Sequence, residues 1–390
     1  MRPIYALVLV VGACGDNLND ADGGPDLVDG VGAVAADNGT GNDPGVDPGT
    51  QVAHGGARYT AELCSVVNYP QYRHDGLDVD LAVSPANNGG TAFFSVSRFG
   101  GPIRGFATDG RGTAVSDKTG TVLRSDDQFR AISASYIDGR VITTALGDGG
   151  TYVDMHRGDL GARIPLAHAA GTLISDLAMQ PSMGTRAVAV ADEGGISALA
   201  FKSDWTTDLA RSVARAKPES MTSANFGTEG VVAYAEGNRC HLQRLSGGEM
   251  VRAFGCEGSR LAIEQKLGQG HLVFEQDGTI MISNVWTGHS VELSLPTKLV
   301  ESGFAPRIVW DGTRYWVSYL DPHGYPVVGF LEQDGHLRTH GIGGLSPLDD
   351  AYELVLVNGQ VWLYAVDRLG LSGVHLCALP VPTDPSTSKN

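Results

Sequence analysis

Seven short apolar segments recur along this chain of 390 residues at a nearly constant spacing. Each segment alternates apolar residues with small or polar ones, which is the pattern of a half-buried β-strand, and Gly-containing turns separate it from similar runs. The successive spacings of 49, 46, 44, 40, 44 and 46 residues indicate one repeat unit of about 45 residues. The segments centre on Phe93, Ile142, Val188, Val232, Leu272, Trp316 and Trp362.

The unit at residues 306–337 shows most clearly what one repeat contains. Three alternating runs, at residues 307–310, 315–319 and 327–331, are separated by turn sequences, and a fourth run follows. Asp-Gly between alternating apolar residues is a strong hairpin signal, so the unit predicts a four-stranded antiparallel meander. Such a meander is one blade of a β-propeller, and we predict an all-β propeller of seven blades, with six or eight blades as open alternatives. Only residues 204–216 have a fair helical pattern.

The last repeat, at residues 352–380, contains only three strand-like runs. A further strand-like segment begins at Arg58 and includes Cys64. Because an open sheet edge is a liability, we predict that this segment closes the last blade as its outer strand, beside the run that contains Cys377. The predicted propeller therefore comprises residues 58–380.

Four of the five cysteines lie in this predicted propeller. Cys240 and Cys256 are equidistant from residue 248, in a turn at residues 246–248, so antiparallel pairing about that residue would place them opposite each other, within disulfide range. If the first segment closes the last blade, Cys64 lies beside Cys377, and a second disulfide joins the two ends of the ring. Two free buried thiols are the alternative for Cys64 and Cys377.

Two segments resemble repeats of known propeller families. Residues 276–289, which include Asp277, Gly278 and Trp286, resemble a strand pair of WD40 or quinoprotein-type repeats. The unit at residues 306–337 resembles the repeats of exported propeller lipoproteins from Gram-negative bacteria. These resemblances imply the fold and leave the activity open, because one fold hosts many functions.

The N-terminal segment has the order of features found in a secretory signal. Arg2 is positively charged, residues 4–11 carry no charge, and Gly12 and Ala13 precede Cys14. Residues 11–14 resemble a bacterial lipobox, which implies that residues 1–13 are a signal peptide and that Cys14 is lipidated. Asp16 does not directly follow the cysteine, so we expect an envelope protein in the outer membrane, with an ordinary secreted protein as the alternative.

An acidic segment follows Cys14. Residues 15–57 contain eight Asp and no Lys, Arg, Phe, Tyr or Trp, so they supply half of the formal net charge of −16. Such a composition cannot bury enough apolar surface to fold, and we predict a disordered linker at residues 14–57 and a disordered tail at 381–390. No basic patch accompanies the acidic charge, which argues against nucleic acid as a partner.

Few side chains form a pattern that indicates chemistry. Asp78 and Asp80 are two residues apart near a predicted strand and can point the same way, whereas the adjacent acidic pairs at residues 126–127 and 349–350 are expected to point apart. His323 and Tyr325 lie in a predicted turn, where they are placed to contact a partner. These four residues are candidate ligand contacts. The sequence has no nucleotide-binding loop, nucleophile elbow or zinc motif, so it predicts no catalytic residue, cofactor or metal ligand.

Two functions fit these features. The first is a non-catalytic binding or scaffold module, held to the membrane through its lipid anchor, that recognises a protein or a glycan. The second is an exported hydrolase, similar to a glycosidase or a lactonase, whose carboxylates meet at the central channel. The absence of a catalytic motif favours the binding module, and a cluster of acidic side chains in the channel would favour the enzyme.

Overall fold

The structure is a computed structural model that describes residues 59–380, except for 71, 73–77, 116–120, 158–159, 181–184, 208–210, 227–228, 238, 247–250, 253–260, 267–268, 288–290, 333–334, 343–344 and 348. The signal peptide at 1–13, Cys14, the linker at 14–57, the tail at 381–390 and Cys256 lie outside the described residues and stay predictions. No helix among the described residues is long and apolar enough to cross a membrane.

The described chain is built from β-strands joined by short turns. In chain order the first strands are β1 (Tyr59–Tyr69), β2 (Val79–Pro85), β3 (Thr91–Ser97), β4 (Gly101–Ala107), β5 (Thr121–Ile137), β6 (Arg140–Gly147), β7 (Gly150–His156), β8 (Arg163–Ala169), β9 (Leu173–Gln180), β10 (Thr185–Asp192), β11 (Gly195–Phe201) and β12 (Arg211–Ala214). They are followed by β13 (Ser220–Phe226), β14 (Glu229–Glu236), β15 (Arg239–Arg244), β16 (Val251–Arg252), β17 (Leu261–Lys266), β18 (Gln269–Gln276), β19 (Thr279–Thr287) and β20 (Val291–Leu293). The last strands are β21 (Thr297–Val300), β22 (Phe304–Trp310), β23 (Tyr315–Leu320), β24 (Pro326–Leu331), β25 (Leu337–Gly341), β26 (Tyr352–Val357), β27 (Gln360–Asp367) and β28 (Gly370–Pro380). A single turn of 3₁₀-helix, Asn87–Gly89, lies between β2 and β3.

Antiparallel pairing groups the described strands into four-stranded units. Five units are separate sheets: β9 to β12, β13 to β16, β17 to β20 with β21 added beside β19, β22 to β25, and β26 to β28 with β1. The remaining sheet runs from β2 to β8 and contains two units, because the long strand β5 serves both. Up to Phe129, β5 pairs with β4 as the fourth strand of one unit, and from Phe129 onward it pairs with β6 as the first strand of the next.

The first strands of these units form a closed ring. The strands β2, the second half of β5, β9, β13, β17, β22 and β26 each contact the next in this series, and β26 contacts β2. This arrangement confirms the predicted all-β propeller. We number the blades from the one that begins with β2, so that the blade that begins with β26 is blade seven. Every centre of the sequence repeat lies in the second strand of a blade, from Phe93 in β3 to Trp362 in β27.

The predicted closure of the last blade is confirmed. β1 pairs antiparallel with β28 and becomes the outer strand of blade seven, so the blade joins both ends of the described chain. A disulfide links Cys64 to Cys377, with Cα atoms 5.8 Å apart. The register of the two strands shifts between Leu63 and Ser65, so Cys64 lies in a β-bulge.

An aromatic cluster fills the seam between blades seven and one. The Phe93 ring lies 4.8 Å from the Phe106 ring and 4.8 Å from the Tyr364 ring, and Tyr69 contacts both phenylalanines. Phe93 comes from blade one, whereas Tyr364 and Tyr69 come from blade seven. Burial of several large rings supplies most of the stabilisation that such a seam needs. The seam that closes the ring is therefore held by packing as well as by the disulfide.

Two sequence expectations differ from the structure. The described part of the helical pattern at residues 204–216, which is 204–207 and 211–216, contains no helix. Trp205 has a left-handed backbone with φ of 66°, Asp204 Oδ1 accepts a hydrogen bond from Thr206 N at 2.9 Å, and β12 follows. Local turn hydrogen bonds and sheet pairing override the periodicity there. In blade four, His241 pairs with Arg252 and not with the residue at 255 that hairpin symmetry about residue 248 predicts. Cys240 is disulfide-bonded, and its pairing with Cys256 stays a prediction.

Candidate functional site

Contacts between blades place the beginnings of their first strands on one face of the ring. Between blades six and seven, the Tyr352 hydroxyl donates to the carbonyl oxygen of Ala305. Between blades one and two, the backbone N–H of Ile132 donates to Asp80 Oδ2 at 2.8 Å. All four residues lie at the start of a first strand. We call the face at which the first strands begin the upper face.

The turn between the second and third strands of a blade also lies at the upper face, because neighbouring strands in the meander are antiparallel. In three consecutive blades this turn exposes a large apolar or aromatic side chain. Tyr325 of blade six is 50% exposed, Leu369 of blade seven is 73% exposed and Phe99 of blade one is 82% exposed. His323 is exposed in the same turn as Tyr325. The structure thus brings the predicted candidates His323 and Tyr325 to the upper face, together with two residues that the sequence did not single out.

Side-chain hydrogen bonds fix two of these turns. Asp321 Oδ1 accepts hydrogen bonds from the backbone N–H groups of His323 and Tyr325, both at 2.9 Å. Asp367 Oδ1 accepts from the backbone N–H of Leu369 at 2.6 Å and from that of Gly370 at 3.0 Å. An Asp that caps its own turn in this way reduces the conformational freedom of the turn. The apolar side chains are therefore presented on ordered backbone.

A cluster of charges lies beside these turns, where blades seven and one meet. Arg98 Nη2 lies 3.3 Å from Asp80 Oδ1, and Arg98 Nη1 lies 3.5 Å from Asp78 Oδ1. Two aspartates from blade seven complete the cluster: Arg98 Nη1 lies 3.3 Å from Asp349 Oδ2 and pairs with Asp350. Four carboxylates thus surround one guanidinium.

Burial divides this cluster into an inner part and an outer part. Asp80, Asp350 and Arg98 are buried, whereas the side chains of Asp78 and Asp349 are partly exposed. Burial raises the pKa of the Asp80 carboxyl, although Arg98 and the N–H of Ile132 partly offset the shift. Burial lowers the pKa of Arg98, but the neighbouring carboxylates of Asp350 and Asp80 raise it by more. The pKa of Arg98 therefore lies above its ordinary value. Within the predicted Asp78–Asp80 pair, Asp78 is thus the residue nearer the solvent.

The sequence did not predict that the second acidic pair, Asp349 and Asp350, belongs to the cluster around Arg98. Asp349 and Asp350 were expected to face opposite ways, as adjacent residues on a strand do. They lie instead in a turn, and Asp349 has a left-handed backbone with φ of 56°, so both carboxylates reach Arg98. No local signal relates Arg98 to residues about 250 positions away in the chain.

The buried charges on the first strands are also ion-paired. Besides Asp80, the first strands carry buried charges at Arg307 and Glu353 in the part of the chain whose burial is described. Arg307 Nε lies 3.4 Å from Glu353 Oε1, and the guanidinium lies over the Tyr352 ring at 4.7 Å. Arg307 and Glu353 come from blades six and seven, whereas Asp80 is ion-paired with Arg98 of its own blade and accepts the N–H of Ile132 from blade two. The carboxylates of Asp80 and Glu353 are therefore both used in contacts between blades.

A cavity of about 380 Å³ opens between the outer strands of blades one and two. Its lining includes Arg124, Tyr152 and His168. The Arg124 guanidinium lies 3.9 Å from the centre of the Tyr152 ring, and His168 stacks on the same ring at 4.3 Å. Arg124 donates to Asp126 at 2.6 Å and 3.0 Å and to Asp154 at 2.7 Å. Two carboxylates already neutralise this arginine, so the cavity offers little positive charge to an anionic ligand. The upper face is therefore the stronger candidate for a functional site.

Structural comparisons identify propellers as similar folds. The chain resembles a streptogramin B lyase with 12% identity and a TM-score of 0.54, covering 82% of this chain and 98% of that chain. It resembles BBS1N, solved in complex with ARL6DN, with 12% identity and a TM-score of 0.52, covering 82% of this chain and 97% of that chain. A SapL1 lectin solved with α-methyl fucoside has 11% identity and a TM-score of 0.47, covering 71% of this chain and 99% of that chain.

Sequence comparisons give no closer relationship. No protein-family profile matches the chain. No curated protein matches it significantly either. At the identities of the structural neighbours, the likeness extends to the fold alone. The chain is a β-propeller.

Proposed function

We propose that this protein is a non-catalytic binding module of the cell envelope, anchored through a lipid on Cys14, and that its upper face binds a protein partner. The observation that carries the proposal is the exposure of Phe99, Leu369 and Tyr325 on the turns of three consecutive blades at one face. Apolar groups gathered on one face of a protein mark interaction surfaces, whereas singly scattered ones need no explanation.

The chemistry of these side chains favours a protein over a glycan. Leu369 has neither a flat π-face nor a hydrogen-bonding group, so it offers little to a sugar ring. Protein interfaces, in contrast, are enriched in aromatic side chains at their centre and have a polar rim. Phe99 and Leu369 fit such a centre, and Tyr325 with its hydroxyl and His323 fit the rim.

The charge cluster adds a requirement on the partner. Asp78 and Asp349 are its partly exposed members, and the single positive charge of Arg98 is shared among four carboxylates. Among the described residues, these five side chains therefore carry a net negative charge beside the apolar turns. A complementary partner has Lys or Arg next to its own apolar patch, since opposite potentials across an interface give specificity and speed association.

A hydrolase is the less favoured function. A general acid or base must come within hydrogen-bond reach of its substrate. Asp80 and Glu353 are buried: Asp80 is ion-paired with Arg98 of its own blade and accepts the Ile132 N–H of blade two, and Glu353 is ion-paired with Arg307 across a blade seam. Their carboxylates therefore stabilise contacts in the ring of blades, and they give no support to a hydrolase.

The experiment compares the upper face with a matched control surface. The triple variant Phe99→Ser, Leu369→Ser, Tyr325→Ser removes the apolar groups. The control, Val115→Ser with Leu295→Ser, removes two apolar side chains that are 51% and 83% exposed elsewhere. Val115 lies in the connection from β4 to β5, at the opposite face. Each tagged chain is cross-linked in its native host and purified from membranes, and co-purifying proteins are quantified.

We expect one protein to co-purify with the wild type and the control, and its recovery from the triple variant to fall about tenfold or more, as for removal of interface hot spots. Equal recovery from all three chains would contradict the proposal, and so would a glycan that binds the wild type and the triple variant alike. Cys14→Ser tests the anchor separately: it should release the chain from membranes, and continued membrane association would count against lipidation.

A further inference from the structure

Two cysteines and a histidine converge on the outer strands of blade seven, away from the upper-face turns. One potential ligand atom each from Cys64, His375 and Cys377 lies within 4.8 Å of the other two. It is the one such group of three among the described residues. We propose that reduction of the Cys64–Cys377 disulfide converts this group into a three-ligand site for zinc, with His375 as the nitrogen ligand.

The backbone explains why the three side chains meet. His375 and Cys377 are two residues apart on β28, so they point to the same face of the blade. On β1, the pairing register shifts between Leu63 and Ser65, and Ser65 pairs with His375. Cys64 is therefore the extra residue of a bulge, beside the histidine and diagonal to Cys377.

The surroundings suit both exchange and metal binding. Cys64 is exposed, so a small thiol can reach its sulfur, whereas His375 and Cys377 are half-buried. The Trp362 ring stacks on the His375 imidazole with centroids 5.1 Å apart and an angle of 23° between the rings. This contact holds the imidazole in one orientation, which lowers the cost of ordering it around a metal ion.

The redox step balances with a dithiol as the reductant. One thiolate of the dithiol attacks the Cys64 sulfur, the Cys64–Cys377 bond breaks, and Cys377 leaves as a thiolate. The second thiol of the reagent then displaces Cys64, so the reagent ends as a disulfide and the protein gains two electrons and two protons. Zinc displaces the two thiol protons and accepts the imidazole lone pair. Water occupies the fourth tetrahedral position.

The spacing of the chain is compatible with that product. Ligand atoms of a tetrahedral site with Zn–S of about 2.3 Å and Zn–N of about 2.0 Å lie about 3.5–4 Å apart. The Cα atoms of Cys64 and Cys377 are already 5.8 Å apart, and the imidazole is within 4.8 Å of both sulfurs. Opening of the S–S bond therefore needs only side-chain rotation.

The test uses Co²⁺ as a spectroscopic probe and then Zn²⁺ as a competitor. The protein is the chain with Cys240→Ala and Cys256→Ala, so that no other propeller cysteine binds metal. It is reduced with a dithiol, and the dithiol is removed before titration. We expect one Co²⁺ per chain, with the visible absorption of tetrahedral cobalt and a sulfur-to-cobalt charge-transfer band, and displacement by Zn²⁺. The oxidised protein should show neither band.

The variant His375→Gln keeps both cysteines and can fold with its disulfide intact. After reduction it should bind Co²⁺ at least about tenfold more weakly, because a ligand has been removed. If reduction alone opens the ring, Zn²⁺ must restore the strand signal in circular dichroism of the reference chain and not of His375→Gln. Absence of cobalt bands in the reduced protein, equal affinity in the two chains, or failure of Zn²⁺ to restore the signal would overturn the proposal.

Discussion

His156 makes the stability of the propeller depend on pH in a way that can be calculated. It ends β7, where its Nε2 lies 2.8 Å from the Thr143 hydroxyl and its ring packs 5.3 Å from the Phe94 ring. The side chain is buried, and its Nδ1 has no hydrogen-bond partner among the described atoms. Burial lowers the pKa of His156 from 6.5 to about 4, with a smaller opposing contribution from Asp154. The folded protein therefore keeps this histidine neutral.

The magnitude follows from proton linkage. In the unfolded chain the histidine takes up a proton as pH falls through 6.5, whereas in the folded chain it does so only near pH 4. Between these values the unfolded state binds more protons, so acid favours unfolding. A shift of about 2.5 units in the His156 pKa corresponds to about 3 kcal/mol in the free energy of unfolding. Most of this stability, about 2–3 kcal/mol, is lost by pH 4.5.

The assay compares the wild type with His156→Gln, with disulfides intact, by urea unfolding at pH 7.5 and pH 4.5. Other titrating groups cancel in the difference, because both chains share them. We expect the free energy of unfolding of the wild type, relative to the variant, to fall by about 2–3 kcal/mol between the two pH values. The imidazole signal in a proton NMR titration should have its midpoint near pH 4. A difference that is independent of pH, or a midpoint near 6.5, would refute the reasoning.

Two further perturbations test how the ring is held. Arg307→Met removes the guanidinium that is ion-paired with the buried Glu353 carboxylate and should lower the free energy of unfolding by about 3–5 kcal/mol, whereas the double variant with Glu353→Met should recover most of the loss. Urea unfolding measures both, and a loss below about 1 kcal/mol in the single variant would contradict the burial argument. Gly150→Ala places a Cβ 2.4 Å from the Ala169 carbonyl oxygen at φ of +124° and should lower the free energy of unfolding by about 2–3 kcal/mol. In the matched variant Gly237→Ala, the residue has φ of +59° and the Cβ has nothing within 4 Å, so the free energy of unfolding should fall by about 1 kcal/mol. Equal losses at the two glycines would contradict the predicted clash.

The repeat was readable in the sequence because strand alternation and turn residues are local signals. The second strand of a blade is flanked by strands on both sides and is buried, so its apolar pattern is strong. Ile142 in β6 and Val232 in β14 are fully buried examples. The prediction that β1 closes the last blade used one further fact, the strand missing from the final repeat. Both inferences need only the order of segments along the chain.

The charge cluster could not be predicted in the same way, because it depends on which blades become neighbours and on the path of one turn. Arg98 belongs to blade one, whereas Asp349 and Asp350 precede the first strand of blade seven. Their meeting requires ring closure and the left-handed backbone of Asp349. The bulge at Cys64 is similar, since alternation alone gives no reason for an extra residue there. Both features are set by tertiary pairing.

In the exposed turns of the upper face, the residues that folding needs differ from the residues that we assign to binding. A second-to-third-strand turn needs residues that reverse the chain, and Asp367 and Asp321 serve that need with their carboxylates. The fold does not need an apolar side chain at the tip, where Phe99 and Leu369 stay more than two-thirds exposed and gain little from burial. Because these side chains contribute little to folding, a partner that buries them is the physical reason we assign to their presence on neighbouring blades. Replacement by serine should therefore leave the free energy of unfolding within about 0.5 kcal/mol of the wild type while binding is lost.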